Sequence, residues 1–84
     1  MLLIYPNPAG ETATLAGNFE GKTPAFLEVY DVAGRLARSL ALAPGGSGEQ
    51  VWQLSLEGLA AGQYAVLLRG ADGQVVGAGK LAKR

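Results

Sequence analysis

Turn-forming residues interrupt this chain of 84 residues so often that only short strands or short helices fit between them. The chain contains 13 Gly and 4 Pro, a density that favours short strands joined by tight turns. The intervening segments are apolar or alternate between apolar and polar residues, as strands do. Seven such segments occur, at residues 2–5, 11–16, 25–30, 35–42, 49–54, 63–69 and 74–82. Their spacing of roughly ten residues predicts an all-β fold, a seven-stranded antiparallel sandwich of two sheets.

Two connections have the sequences of specific turns. Residues 31–34 begin with Asp and end with Gly, as type I turns prefer, and residues 70–73 carry the Asp-Gly pair of tight hairpins. A helix competes with a strand at residues 35–42, because Leu and Ala favour helices, but the hairpin turn before the segment favours a strand. Arg38 interrupts the apolar series of that segment, and we expect it near a sheet edge. Residues 44–48 are expected to form a flexible loop.

The charge balance argues against nucleic acid and membrane partners. Seven basic and seven acidic residues cancel, and the only basic cluster is Lys80, Lys83 and Arg84. This cluster is too small to predict binding to nucleic acid or to an anionic membrane surface. No apolar run approaches the roughly 20 residues that cross a bilayer, so we expect no membrane insertion. A neutral surface gives weak repulsion between copies, and we expect a weak homodimer formed through strand edges.

No residue set in the sequence indicates catalysis, a metal site or a cofactor. The chain lacks Cys and His, which excludes thiolate chemistry and removes the commonest general base and metal ligand. The acidic residues are scattered, and no segment offers the 6–8 oxygen ligands of a calcium site. Residues 45–48 are rich in Gly, but the Lys of a phosphate-binding loop is missing and a strand follows instead of a helix. We therefore expect a non-enzymatic domain without cofactors.

Three motifs have both a structural and a functional interpretation. Pro6-Asn7-Pro8 forms either a rigid turn that ends a strand or a recognition loop, and both roles are compatible. Gly62 and Tyr64 either shape the entry to a strand around an inward ring or present that ring to a partner. The closing residues 80–84 either protect a sheet edge or offer backbone groups to an added partner strand. On the second interpretation, Gly77 and Gly79 keep side chains out of the way of that strand.

These motifs, in this order, resemble one known family. The first block is Tyr5-Pro6-Asn7-Pro8 followed by residues 11–15, the second is residues 27–36, and the third is residues 56–68 with the closing residues 79–84. With these blocks the chain resembles the C-terminal sorting domain of type IX secretion cargo in Bacteroidetes-type bacteria. The resemblance spans nearly the whole chain, and it departs from the family pattern at Ala82, where a larger aliphatic residue is common.

The resemblance implies a fold, a function and a set of partners. It implies an immunoglobulin-like β-sandwich, with residues 1–84 forming a single sorting domain of a larger secreted protein. The domain would direct its cargo from the periplasm across the outer membrane to the cell surface or the extracellular space. Its partners would be the outer-membrane translocon, shuttle proteins and a sortase-like peptidase that usually removes it. The residues implicated are Gly79, Lys80, Leu81, Ala82, Lys83 and Arg84 in partner binding, with Pro6, Asn7 and Pro8 as a motif turn and Gly62 and Tyr64 at a strand entry.

A second function stays open at this level. An accessory sandwich of a secreted hydrolase, binding carbohydrate or serving as a spacer, has the same size and strand pattern. Carbohydrate binding requires exposed aromatic platforms, and this chain has six aromatic residues, several of which the core needs. A small enzyme is disfavoured because no activated nucleophile and no acid–base pair is visible.

Overall fold

A computed structural model of the protein describes residues 2–19, 21–43 and 48–84. Its strands are β1 Leu2–Tyr5, β2 Thr12–Asn18, β3 Pro24–Asp31, β4 Leu36–Ala41, β5 Glu49–Ser55, β6 Gly62–Gly70 and β7 Val75–Lys83. Each of the seven predicted segments forms a strand, and the segment for which a helix competed is β4. The predicted loop at residues 44–48 lies, except for Gly48, outside the described residues.

The strands form two antiparallel sheets that pack face to face. The three-stranded sheet has the order β1-β2-β5, and the four-stranded sheet has the order β4-β3-β6-β7. All neighbouring strands pair antiparallel. This arrangement is an immunoglobulin-like β-sandwich, which confirms the expected fold class. It leaves β7 at the edge of the four-stranded sheet, beside β1 of the facing sheet.

The core lies between the sheets and is built from alternate residues of each strand. Because successive side chains of a strand point to opposite faces, one residue in two reaches this layer. The largest fully buried side chains are Leu15, Pro24, Leu27, Val29, Leu54, Leu56, Val66, Leu68 and Leu81. Trp52 packs partly buried against them, with its ring centroid 5.9 Å from that of Phe19. Trp52 is thus one of the aromatic residues that the core uses.

Both predicted hairpin turns form. In the first, Gly34 N–H donates to the Asp31 carbonyl at 3.0 Å, and Asp31 Oδ1 accepts hydrogen bonds from the N–H groups of Ala33 and Arg35. In the second, Gly73 N–H donates to the Gly70 carbonyl at 2.9 Å. Gly34 and Gly73 have φ values of +82° and +87°, which L side chains rarely adopt, so Gly suits both positions.

A β-bulge in β4 changes the faces that simple alternation predicts. Val29 pairs with Arg38 and Tyr30 pairs with Leu36, so Ala37 is an extra residue. Leu36 therefore lies exposed on the outer face, and Ala37 packs against the core instead. Simple alternation predicts that Leu36, Leu40 and Leu42 share one face, and the bulge makes this prediction wrong for Leu36.

Arg38 lies on edge strand β4, as expected, and it connects the two sheets. Its guanidinium donates hydrogen bonds to the carbonyl oxygens of Ser55 and, at 2.7 Å, Glu57. Ser55 is the last residue of β5, the edge strand of the facing sheet, and Glu57 follows two residues later. One side chain therefore ties the two sheet edges together on the side of the sandwich opposite β7.

Candidate functional site

The three sequence motifs converge on the last residues of β7. On one side of this strand, β6 pairs Gly62 with Lys83 and Tyr64 with Leu81. On its other side, residues 7–9 run along the sheet edge. The motif turn, which lies more than 50 residues before the other two motifs in the sequence, therefore joins them in one surface with the end of β7 at its centre.

The side chains of residues 80–84 do not all face solvent. Lys80 is exposed on the outer face of the four-stranded sheet, and Ala82 shares that face, half-buried. Leu81 points the other way and is 0% exposed, as part of the core. Lys83 has the same orientation as Leu81, and only 9% of its side chain is exposed. Of the closing residues, Lys80, Ala82 and Arg84 are the ones that a partner protein can contact directly.

Lys83 is held at the end of the sandwich by a neighbouring carboxylate. Its ammonium lies 3.7 Å from Glu11 Oε1, and 71% of the Glu11 side chain is exposed. The long aliphatic stem of Lys83 is buried while its charged end stays near the surface, as is common for lysine. The expectation that Lys83 offers its charge to a partner conflicts with this geometry.

The carboxamide of Asn7 caps the edge of β7. Asn7 Oδ1 accepts a hydrogen bond from Ala82 N–H at 2.9 Å, and Asn7 Nδ2 donates to the Lys80 carbonyl at 3.1 Å. The residues on either side are Pro6 and Pro8, which have no N–H to donate, and both follow cis peptide bonds. Since neither neighbour can donate from its backbone, the amide side chain between them supplies the pairing.

Ala9 continues the cap towards the chain end. Its N–H donates to the Ala82 carbonyl, and its carbonyl accepts from Arg84 N–H, both at 2.8 Å. These bonds make Ala9 a parallel bridge partner of Lys83. Ala9 is fully buried. The motif turn is thus a structural element that covers the end of β7, and its own side chains at residues 6–8 remain exposed.

This cap overturns one expectation about the edge. Residues 80–84 were expected to offer free backbone groups to a partner strand. However, the outward Lys80 carbonyl, the Ala82 N–H and carbonyl, and the Arg84 N–H already bind Asn7 and Ala9. The carbonyl of Lys80 and the N–H and carbonyl of Ala82 are all occupied. A partner strand can reach them only where the cap is displaced.

Gly77 and Gly79 face the core and not an approaching partner. A Cβ on Gly79 would lie 2.9 Å from Ile4 Cδ1, and one on Gly77 would lie 2.9 Å from Phe19 Cε1. Such distances are shorter than van der Waals contact. The two glycines therefore allow β1 and Phe19 to pack closely over β7, and the expectation that they clear the edge for a partner strand is wrong.

Gly62 and Tyr64 shape the strand that supports β7. Tyr64 is buried, and its hydroxyl donates a hydrogen bond to the carbonyl of Ala60. A buried tyrosine that bonds the backbone a few residues upstream is the tyrosine corner of immunoglobulin-like sandwiches. Gly62 has a φ of +153°, which permits the sharp entry into β6. The structural interpretation of these two residues is confirmed.

The charges near this surface leave Lys80 unpaired. Lys80, Asp31, Val32 and Ala65 line a shallow depression on the outer face. The Arg35 N–H donates a hydrogen bond to Asp31 Oδ1, and Arg35 Nε lies 3.1 Å from Asp31 Oδ2. The hydrogen bond, together with the nearby guanidinium charge, lowers the pKa of Asp31. Within the described parts of the chain, the Lys80 ammonium forms no ion pair. A partner that docks here meets an uncompensated positive charge.

A second ion pair orders the middle of the same face. Arg69 Nε lies 2.6 Å from Glu28 Oε1, and the Tyr30 hydroxyl donates to the same carboxylate at 3.0 Å. The hydrogen bond from Arg69 is the main cause that lowers the pKa of Glu28. This pair therefore stays ionised at neutral pH.

The described residues offer no site for a metal ion. No three of their Asp and Glu side chains lie close enough together to hold one. None of these residues belongs to a helix long and apolar enough to cross a membrane.

Sequence reasoning missed two residues of this surface. Ala9 and Glu11 follow the motif turn and contact the end of β7, but small and scattered residues carry no recognisable pattern. One indication was present in the sequence. A polar amide between two prolines sits where the backbone cannot pair, so its side chain is available to replace a strand partner.

Comparison with known proteins gives one result. The family described as the secretion system C-terminal sorting domain matches residues 3–81, which is nearly the whole chain. A search of curated proteins found no match.

Proposed function

The chain belongs to the family of secretion system C-terminal sorting domains, and on this basis we propose which of its surfaces the secretion machinery recognises. A domain of this family is a sorting signal for type IX secretion, in a family that is not catalytic. It sends its cargo to the cell surface or the extracellular space. The machinery of that pathway is its partner.

The proposed recognition surface is the capped end of β7. It consists of Lys80, Ala82 and Arg84, and the exposed turn at residues 6–8 covers part of it. The single observation that supports it is that the motif turn, which is distant in the sequence, meets the other two motifs at the end of β7 in the fold. Leu81, Gly79 and Tyr64 hold this surface in shape from within and do not contact the partner.

The steps of transport are part of the proposal. The domain passes through the periplasm attached to its cargo, as the single sorting domain of a larger secreted protein. Shuttle proteins and the outer-membrane translocon bind the capped end of β7, and a sortase-like peptidase then removes the domain. The family membership supports this sequence of events, because each step acts on a folded terminal tag.

A point substitution tests the surface better than a truncation. Deleting residues 80–84 would remove Leu81 from the core, so failed export would not separate recognition from unfolding. Lys80→Gln removes one exposed charge that pairs with no described side chain. Lys22→Gln removes the same charge at the opposite end of the sandwich, near the β6–β7 turn, and serves as the matched control.

Each variant is fused to a periplasmic reporter in a host that has the pathway. We expect Lys80→Gln to lower surface delivery at least threefold, because a charge that orients docking is lost, and Lys22→Gln to leave it unchanged. Thermal unfolding of both purified domains checks that they fold equally well. Equal delivery of the two variants would refute the proposed surface.

The alternative function, a carbohydrate-binding accessory module, has less support. The two most exposed aromatic residues are Tyr5 and Phe26, with 48% and 46% of their surface exposed to solvent. Tyr5 lies on the outer face of the three-stranded sheet, and Phe26 lies on that of the four-stranded sheet. Rings on opposite sides of the molecule do not form one stacking platform for a sugar.

A further inference from the structure

The Asn7 carboxamide occupies the place of a residue in an added parallel strand. In a parallel ladder, a residue donates its N–H to the carbonyl of the residue that precedes its partner in the neighbouring strand. Its own carbonyl accepts a hydrogen bond from the N–H of the residue that follows that partner. Asn7 does both around Leu81, at Lys80 O and Ala82 N. Ala9 repeats the pattern around Lys83, with its own backbone. The side chain of Asn7 thus reproduces the two hydrogen bonds of a peptide unit.

The cap differs in strength along its length. Ala9 is buried and bonds through its backbone, so this end of the cap is part of the core. Asn7 and its flanking prolines are exposed, and their only hydrogen bonds to β7 are the two from the carboxamide. A rotation of one exposed side chain therefore frees Lys80 O and Ala82 N while Ala9 stays in place.

Open backbone groups lie directly next to the Asn7 position. Outward and inward backbone groups alternate along an edge strand, so the Ala82 and Lys80 pattern places the Ala78 carbonyl and the Lys80 N–H on the same open edge. Beyond the cap, they form the next position of the same parallel ladder. A strand that pairs there first would reach Asn7 within two residues.

We propose that the edge of β7 from Ala78 to Ala82 is a strand-addition site gated by Asn7. This inference rests on the proposed function and deepens it, because it names the type of contact. The occupant is an extended segment of a protein of the secretion machinery, which runs parallel to β7. It pairs first with Ala78 O and Lys80 N–H, displaces the carboxamide, and makes the same hydrogen bonds to Lys80 O and Ala82 N–H. The cap keeps this edge closed to unintended strands, since free edges pair with other chains.

A first experiment tests the cap on the purified domain. The substitution Asn7→Ala removes the carboxamide, and we expect the Ala82 amide to exchange its hydrogen at least tenfold faster, as measured by NMR. The Leu81 amide, which faces β6, serves as the internal reference and should change little. Equal exchange of the Ala82 amide in the two proteins would overturn the proposal, because the cap would then not close the edge.

A second experiment tests strand addition in the delivery assay. In the Asn7→Ala background the carboxamide part of the cap is absent, and Ala82→Pro then removes the outward N–H that the partner strand requires. Ala41→Pro removes an outward N–H from β4, the opposite edge strand of the same sheet, and is the matched control, since proline is tolerated at sheet edges where the N–H faces outward. Thermal unfolding shows that each variant is folded at the assay temperature.

The expected results separate strand addition at Ala82 from direct recognition of Asn7 and from recognition that does not use this edge. We expect Asn7→Ala to be delivered at least as well as the unchanged domain. Adding Ala41→Pro to Asn7→Ala should leave delivery the same, and adding Ala82→Pro should lower it at least tenfold. Equal delivery of the two proline variants would overturn strand addition at Ala82. Loss of delivery in folded Asn7→Ala would also overturn it, because Asn7 would then be recognised directly. The Lys80→Gln result is independent, so the surface can stand when strand addition fails.

Discussion

Replacing Gly77 by Ala tests how closely the two sheets pack at β7. Gly77 faces inward, and a Cβ there would lie 2.9 Å from Phe19 Cε1 and 3.5 Å from Leu68 Cδ1. The Phe19 ring is buried and packs against Trp52, so it has little room to move. In most strands an alanine would be preferred to a glycine, because glycine loses more conformational entropy on folding.

The magnitude follows from two opposing effects. Inserting a methyl group into a well-packed core costs about 1–3 kcal/mol, and the lower entropy of the unfolded chain offsets about 0.4–1 kcal/mol of this. We therefore expect Gly77→Ala to lower the free energy of unfolding by about 0–2.6 kcal/mol, with a central value of about 1.3 kcal/mol. Gly79→Ala should cost less, about 0–1 kcal/mol, since it meets the flexible tip of Ile4 on a short edge strand.

Urea unfolding followed by Trp52 fluorescence measures both variants. Ala78→Gly is the control on the same strand, and its exposed outward position predicts a loss of about 0.5–1 kcal/mol from chain entropy alone. Adding Phe19→Leu to Gly77→Ala should recover part of the lost stability, since a smaller side chain relieves the contact. A Gly77→Ala protein that is more stable than the parent would refute the argument.

Two further predictions concern polar contacts. Arg38→Met should lower the free energy of unfolding by about 1–2 kcal/mol, because charge-assisted hydrogen bonds between the sheets are lost. The control Arg35→Met removes an exposed ion pair and should lower it by under about 0.5 kcal/mol. Equal losses for the two variants in urea unfolding would contradict the role of Arg38. The pKa of Glu28 is lowered in the fold, so its contribution to stability is present above its ordinary value of 4.5 and is lost as the pH falls through the lowered pKa. Glu28→Gln should therefore flatten the fall in stability below pH 4.5, and an unchanged pH profile would count against the Arg69 contact.

The strands and turns could be predicted because their causes are local. Alternation of side chains along residues 25–30 and 63–69 follows from strand geometry, and the turns depend on Asp31, Gly34 and Gly73 in their own segments. The inward position of Tyr64 also follows from this alternation. Local patterns failed at Leu36, because a bulge is a property of the pairing between two strands and leaves no period in the sequence.

The amino-acid sequence by itself determined the fold class, the turn positions and the three motifs, since each depends on residues close together in the chain. Only the tertiary structure decided how these motifs act together. Asn7 meets Lys80 across 73 residues and Ala82 across 75, and no local pattern specifies a contact at such a separation. The inward direction of Lys83 and the close packing over Gly77 depend in the same way on β1, β2 and β7 coming together. The physical reason is that strand periodicity assigns side chains to two faces, but the order of strands in the sheets decides which face and which edge remain open.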